Sequence, residues 1–463
     1  MPLLDPHDAR PVHFVGIAGA GMSALAELFV RRGVRVNGCD AAPGGAVCED
    51  LRRLGVEIRE GHDRLHVEGV RALVVTSAMP HDHPELLAAR ARGLDVVRRA
   101  EALGKAVSGG TLVAVAGTHG KTTTTVMTTE GLTSAGLAPT GVVGGRVGSW
   151  GGNLRFGSES LFVVEADEYD RSFLALIPTV AVVTNVEADH LDIYADLADI
   201  RATFEQFLAP AASIVLCDDD AGASKLDVAT GAQVIRYATQ SPNARVRGTP
   251  TVLNDGRTAV AVTFDDECLG DLVLRLPGVH NVRNALAAVS SGLALGVTLE
   301  QMRPGLEAFS GVERRFQRLG SANGVEIVDD YAHHPTELAA TLTAAREAFP
   351  GRRIVAAFQP HLYSRTRDFA GAFATSLRLA DVIFLTSIYP SREQPIEGVT
   401  STLIAEPMVR SGKAPVWMGE RTVLAHALAS FVREGDIVLT LGAGDITKTG
   451  PELLQRLTSA GGG

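Results

Sequence analysis

TLVAVAGTHGKTTTT, residues 111–125, decides how the rest of the chain is read. Leu112, Val113, Ala114 and Val115 form a β-rich run that passes directly into Gly117-Thr118-His119-Gly120-Lys121-Thr122. A threonine-rich segment able to open a helix follows. Strand, glycine turn and helix start are the setting that a phosphate-binding loop requires. Glycine lets the backbone turn sharply and aim several N–H groups at one anion. The helix N-terminus adds partial positive charge. Lys121 is placed to reach the β- and γ-phosphates as a point charge, and the Thr122 hydroxyl to sit on a magnesium ion. The loop is the shortened form GTHGKT, because Ala116 and Val115 stand four and five residues before Gly120. A GK[ST] triplet alone also reads as a glycine turn with a surface lysine. The flanking strand and helix pattern favour the phosphate loop.

The chain has 463 residues, enough for roughly three domains of ~150 residues. A hydrophobic content of 46% and a charged content of 21% are those of a globular chain. The net charge of −10 argues against non-specific nucleic-acid binding, while a phosphate ligand needs only a local cradle. No apolar run reaches the ~18 residues of a membrane span. The N-terminus carries no charged region followed by an apolar one, so no secretory leader is read. Cys39, Cys48, Cys217 and Cys268 lack metal-type spacing and read as reduced thiols of a cytoplasmic protein.

Toward the N-terminus, Val12-His13-Phe14-Val15 reads as a strand and Gly16-Ile17-Ala18-Gly19-Ala20-Gly21 as a turn. Met22 to Arg31 has helical periodicity through Leu25, Leu28 and Phe29, and a second strand from Val34 ends at Asp40. This is a Rossmann-like βαβ unit. Its spacing is GxxGxG rather than GxGxxG, which weakens a dinucleotide reading. Asp40 is placed to bond a ribose. A third strand, Ala72 to Val75, runs into Thr76-Ser77-Ala78, and ligands gather at such strand ends.

Toward the C-terminus, a glycine-rich stretch at 141–153 precedes two apolar strands with acidic ends. One runs into Glu165-Ala166-Asp167-Glu168, the other into Thr184-Asn185-Val186-Glu187-Ala188-Asp189-His190. On a parallel sheet both ends open beside the phosphate loop, bringing Glu165 and His190 to Thr122 around one magnesium. An oxygen-rich shell suits that ion, and one imidazole is a less usual addition. Residues 251–276 alternate like strands. Pro277 to Asn284 opens a helix over 285–295, where His280, Asn281 and Asn284 either cap the helix or meet a nucleotide base. From about 321, strands at 325–328, 354–358, 382–385 and 437–440 alternate with helices such as 336–347. The expected fold is α/β in three domains: Rossmann-like at 1–107, central and P-loop ATPase-like at 108–320, and Rossmann-like again at 321–463.

Taken in order, GIAGAGMS (16–23), GTHGKTTTT (117–125), EADEYDRSFL (165–174), NVEADHLDIY (185–194), PGVHNVRN (277–284), RRF (314–316), DDYAHHPTE (329–337) and FQPHLYSRTR (358–367) resemble the Mur ligase family of ATP-dependent amide-forming enzymes. The resemblance runs through all three domains. It implies that the first domain holds a UDP-sugar, the second ATP with Mg²⁺, and the third an amino acid. By motif, Gly19, Gly21, Met22, Ser23, Asp40 and Ser77 are the expected UDP-sugar contacts. Gly117, Thr118, His119, Gly120, Lys121, Thr122 and Thr123 are expected at the phosphates. His280, Asn281 and Asn284 are expected at the adenine, with Arg315 and Asp330 further ATP contacts. Thr122, Glu165 and His190 are the expected metal ligands. Tyr331, His333, Arg365 and Arg367 are expected at the amino acid, and Lys121, His190, His333 and Arg365 in catalysis.

The implied reaction phosphorylates the lactyl carboxylate of UDP-N-acetylmuramate and passes the acyl group to L-alanine, in peptidoglycan precursor synthesis. A carboxylate does not react with an amine at neutral pH, so it must first be activated. His333 is either the base that takes the amine proton or a positioning group. The protein would be a monomer or a homodimer, with no nucleic-acid or membrane partner. A sibling branch that attaches a recycled tripeptide stays open as the alternative. A nicotinamide oxidoreductase would leave the phosphate loop unused, and a non-catalytic nucleotide module would leave Glu165, His190 and the paired histidines 333 and 334 unused. Three departures stand out. Tyr169 replaces a small residue. Leu362 replaces an arginine of many members. No lysine lies between Lys121 and Lys225, where other Mur ligases carry a carbamylated one.

Overall fold

Strands covered on both faces must be apolar at nearly every position. Val12–Val15 (β1), Ala72–Val75 (β4), Thr111–Ala116 (β6) and Val180–Val183 (β10) meet that requirement and lie at sheet centres. The computed structural model describes residues 3–76, 79–191, 193–228, 231–253, 256–391 and 393–460. They form three sheets. The chain divides into two compact units, 1–249 with 260–272 and 282–309, and 250–259 with 273–281 and 310–463.

The first sheet is parallel, with order β3-β2-β1-β4-β5, where β2 is Val36–Asp40, β3 Glu57–Glu60 and β5 Asp95–Arg98. Its helices are α1 (Ala20–Arg31), α2 (Ala46–Arg53), α3 (Pro84–Ala91) and α4 (Arg99–Val107). β2 starts two residues later than the sequence suggests, because α1 ends in a Schellman-type cap. Gly33 takes φ +77° and Val34 N–H donates back to Phe29 O at 3.0 Å, so Val34 is part of the turn.

The second sheet has the order β15-β14-β13-β12-β11-β10-β6-β9-β7-β8. Its further strands are β7 (Thr140–Val147), β8 (Gly152–Arg155), β9 (Leu161–Glu165), β11 (Ser213–Cys217), β12 (Gln233–Ala238), β13 (Val246–Val252), β14 (Thr258–Phe264) and β15 (Glu267–Leu274). Its helices are α5 (Lys121–Ser134), α6 (Leu197–Leu208), α7 (Val279–Ala294) and α8 (Leu299–Ala308). α5 is unusual in burying a run of threonines. Thr125, Thr128, Thr129 and Thr133 donate to the carbonyl four residues back at 2.7–2.8 Å, and the buried Thr124 hydroxyl donates across to Asn284 Oδ1 on α7 at 3.2 Å. α7 begins six residues earlier than the sequence reading. Gly278 turns the chain at φ +93°, and Asn281 Nδ2 donates to Pro277 O at 2.8 Å. His280, Asn281 and Asn284 therefore lie inside the helix rather than at its N-cap. Asp219 anchors the other side of α7. Its buried carboxylate accepts from Thr239 N, Thr239 Oγ1, Gln240 N, Ser241 N and Arg283 Nε at 2.6–3.0 Å. Burial alone would raise this carboxyl, but the hydrogen bonds from Thr239, Ser241 and Gln240 hold it at about 2.

The third sheet has the order β16-β17-β21-β18-β19-β20: Gln317–Ala322, Val325–Asp330, Asp436–Leu441, Arg353–Phe358, Val382–Thr386 and Trp417–Gly419. β16 alone is antiparallel to its neighbour. Helices α9 (Pro335–Ala348), α10 (Tyr363–Leu377), α11 (Thr402–Arg410), α12 (Arg421–Ala429) and α13 (Thr449–Ala460) complete it. No helix among the described residues is long and apolar enough to cross a membrane.

Candidate active site

In the second sheet β6 lies between β10 and β9, all parallel, so their carboxyl ends are neighbours. The phosphate loop leaves β6, Glu165 ends β9, and Thr184 follows β10. Asn185 ties the loop down: its carbonyl accepts from Thr118 N at 3.1 Å and its Oδ1 from His119 N at 2.7 Å. The N–H groups of Thr118 and His119 thus hold the loop's shape. Gly117 sits at φ +137°, where a Cβ would fall 2.1 Å from Thr184 Oγ1. Gly120 caps α5 at φ +80°, where a Cβ would fall 2.6 Å from Asn284 Oδ1. Neither position admits a side chain. The first intrahelical bond runs from Thr124 N to Gly120 O at 2.9 Å, so the N–H groups of Lys121, Thr122 and Thr123 lie ahead of the ladder.

Lys121 Nζ curls back to Gly117 O at 2.7 Å and pairs with Glu168 Oε2 at 2.7 Å. Burial would discharge this lysine, but Glu168 and Asp167 outweigh it and hold the ammonium above its ordinary value. Burial also pushes the Glu168 carboxyl up, to about 7, against the pull of Lys121. Glu168 is the central residue that sequence reasoning did not assign. Its motif position was visible, but only the fold brings it to Lys121. Thr122 Oγ1 donates to Glu165 Oε1 at 2.9 Å, and Gly144 N donates to Glu165 Oε2 at 2.6 Å. His190 Nε2 stands 3.8 Å from Glu168 Oε1. Its backbone is held at φ +53°, with its N–H on Asp189 Oδ1 and its carbonyl accepting from Ile193 and Tyr194. Tyr169 meets the His190 ring edge-on at 5.0 Å, which gives that departure a packing role. Asp170 and Arg171 follow with positive φ, and Arg171 Nη2 donates to both carboxylate oxygens of Asp199, at 2.8 and 2.9 Å.

At the first sheet, Gly19 caps α1 and Gly21 packs against Arg99, whose Nη1 lies 3.0 Å from a Cβ at that position. Met22 and Ser23 are buried, and the Ser23 hydroxyl donates to Ala20 O at 2.9 Å. Asp40 braces the turn: Oδ2 accepts from Ala18 N and Oδ1 from Ala42 N, both at 3.0 Å. Ser77 lies outside the described residues. A cleft of about 260 Å³ has Gly19, Gly21 and Met22 on one wall and Gly144, Glu165 and Asp167 on another.

In the third sheet, the carboxyl ends of β17, β18 and β19 gather Tyr331, His333, His361, Arg365 and Tyr389. His333 Nδ1 lies 3.0 Å from Tyr331 O and 3.1 Å from Glu337 Oε2. Arg365 is buried, with Nη1 3.4 Å from His361 Nδ1, and His361 stacks on Tyr389 at 5.8 Å. His361 and Tyr389 were not assigned from sequence. Arg367 stands apart from Arg365. Two residues on from Arg365 it faces the other side of α10, with its side chain 54% exposed and paired to Asp368. Leu362, at φ +69°, starts α10 and accepts from Thr366 Oγ1 at 2.8 Å. Arg315 stacks over Tyr331 at 5.1 Å and contacts Glu337 Oε1 at 3.4 Å. Asp330 accepts from Phe316 N and Ala332 N at 2.7 and 2.8 Å, and burial raises it to about 6.

A phosphate loop, a lysine held charged and an acidic strand end beside a glycine turn define a nucleoside-triphosphate-using α/β protein. Comparison narrows the class. Residues 11–111 match the model described as Mur ligase family, catalytic domain, residues 115–292 the Mur ligase middle domain, and residues 314–444 the Mur ligase, glutamate ligase domain. The UDP-N-acetylmuramate--L-alanine ligase of Salinibacter ruber is 44% identical over 458 residues, covering 98% of this chain and 96% of that protein. The crystal structure of the UDP-N-acetylmuramate-alanine ligase of Thermotoga maritima superposes with a TM-score of 0.83 at 29% identity, covering 97% of this chain and 99% of that one. The murein peptide ligase of Psychrobacter arcticus shares the fold, with a TM-score of 0.71 at 24% identity over 97% and 99% of the two chains. The chain belongs to the Mur ligase family.

Proposed function

We propose that this chain joins L-alanine to the lactyl carboxylate of UDP-N-acetylmuramate, with cleavage of ATP to ADP and phosphate. The carrying observation is the cleft that has the Gly19–Met22 turn and Glu165 in its walls. A sugar nucleotide bound at that turn would bring its carboxylate to the phosphate loop. Residues 1–107 would bind the UDP-sugar, 108–320 ATP and 321–463 the amino acid, in the cytoplasm where both nucleotides occur. The carboxylate attacks the γ-phosphorus and ADP leaves. The alanine amine then attacks the acyl phosphate, and phosphate departs with the amine proton lost to a base. Mass spectrometry checks this directly: the UDP-sugar should gain one alanyl residue, and an unchanged sugar would contradict it.

Thr122 Oγ1 and the Glu165 carboxylate, 2.9 Å apart, form the hard oxygen set that magnesium takes. Magnesium bound there would supply positive charge against phosphate oxygens. Lys121 leaves Glu168 to meet the phosphates, and Glu168 steadies it between turnovers. His190 completes the metal set. His190→Ala should raise the Mg²⁺ concentration for half-maximal rate by roughly tenfold or more, and an unchanged Mg²⁺ titration would remove it from the set.

Arg365, already buried, is the carboxylate anchor for alanine, and His333 presents Nε2 as base or positioning group. In Arg365→Ala the KM for alanine should rise by about tenfold, the loss of one charged hydrogen bond, with the KM for ATP little moved. Equal rises in both constants would contradict the assignment.

A further inference from the structure

The first sheet carries a second constellation, apart from the residues assigned to substrate. His13 on β1, Cys39 on β2, His66 after β3 and Glu85 in the first turn of α3 converge although 72 positions separate the outermost pair. Glu85 is fully buried. Its carboxylate lies 2.9 Å from His66 Nδ1, 3.2 Å from His13 Nε2, and 3.1 and 3.2 Å from Cys39 Sγ, and it accepts from Asp63 N at 3.1 Å. The four donor atoms all lie within 4.8 Å of one another. A tetrahedral zinc ion, with Zn–N near 2.0–2.1 Å and Zn–S near 2.3 Å, separates its ligand atoms by roughly 3.3–3.6 Å.

His13 Nδ1 is 2.9 Å from Asn37 Oδ1, so this nitrogen donates and the Nε2 lone pair faces the carboxylate. Two lone-pair bearers in a buried site need a cation between them, either a proton or a metal. The thiol separates these two cases. Cys39 is a soft donor, and His62 Nδ1 stands 3.3 Å from its sulfur as a further ligand in reserve. His83, edge-on to His62 at 4.7 Å, has a buried Nδ1 without a hydrogen-bond partner among the described residues. His62 and His66 reach solvent while His13 and Glu85 do not, so an ion has a way in.

We propose that His13, Cys39, His66 and Glu85 form a structural site for a borderline-soft divalent cation, with zinc the ion that fits. On binding, Cys39 releases its thiol proton to solvent. The thiolate and the Glu85 carboxylate then balance the two positive charges, and the imidazoles bind neutral. The ion would pin α3 to β1 and β2. The donor set, with two nitrogens and a sulfur, differs from the oxygen set beside the phosphate loop, so Mg²⁺ does not compete for it.

The test loads the full-length protein with Co²⁺ or Zn²⁺ in excess Mg²⁺. Wild type should take up one Co²⁺ with a thiolate-to-cobalt charge-transfer band that Mg²⁺ leaves unchanged, and Zn²⁺ should raise its melting temperature. Cys39→Ser should lose the band. His66→Gln, altered at a partly exposed ring, should keep its fold and bind Zn²⁺ at least ~10-fold more weakly by chelator competition. No uptake by wild type, a band that survives in Cys39→Ser, or zinc affinity unchanged in His66→Gln would each overturn the site and leave a hydrogen-bonded network only.

Discussion

Lys121→Ala should lower kcat by at least ~10²-fold, the scale of one lost charge contact to a transition state. Two anions must approach each other when a carboxylate attacks ATP. Phosphoryl transfer is governed by positioning and charge neutralisation rather than by covalent help from the protein. Lys121 is the cation built for that task. Its ammonium is held charged and donates to Gly117 O and Thr118 O, and its partner Glu168 keeps it in the loop. Alanine removes the charge and leaves Glu168 buried without its pair, so ATP affinity should fall as well. Lys121→Met keeps the stem's volume and separates charge from packing. If it retained near-normal turnover, the phosphate-loop assignment would fail.

The second large effect concerns stability. Asp219→Asn should cost about 2 kcal/mol at pH 7, from a carboxyl moved from 3.8 to about 2 at 1.36 kcal/mol per unit. The group is almost fully buried, so solvent does not screen it. The sign follows from linkage. A depressed carboxyl contributes its full stability above its unfolded value of 3.8 and loses it as the pH falls toward about 2. The gap between wild type and variant in denaturant unfolding should therefore be constant near neutrality and narrow between those two values. A gap that is absent at pH 7, or that does not change with acid, would contradict the assignment. Because Asp219 also holds Arg283, the variant loosens α7, and ATP affinity gives an independent readout.

What the sequence made legible was local. GTHGKT and the apolar runs before Glu165 and Thr184 carry their meaning in spacing of a few residues, and the sheet order put their ends side by side. Glu168 was legible as an acid but not as the partner of Lys121, since that pairing depends on how the chain turns after β9. Asp40 shows the same limit: its place at the end of β2 was readable, its bonds to Ala18 and Ala42 were not. The start of α7 was misread because Asn281 satisfies a carbonyl behind it, where an N-cap would accept from ahead. Arg365 and Arg367 look equivalent in a motif, and helical rotation separates them. The cluster around Glu85 escaped motif reading because its members are scattered over the first sheet.

The most direct test of the central claim is phosphate release from ATP and Mg²⁺ with UDP-N-acetylmuramate, comparing L-alanine with the tripeptide L-Ala-γ-D-Glu-meso-diaminopimelate as amine. Release is expected only when both the UDP-sugar and L-alanine are present. Release with the tripeptide and not with alanine would contradict it and assign the chain to the recycling branch.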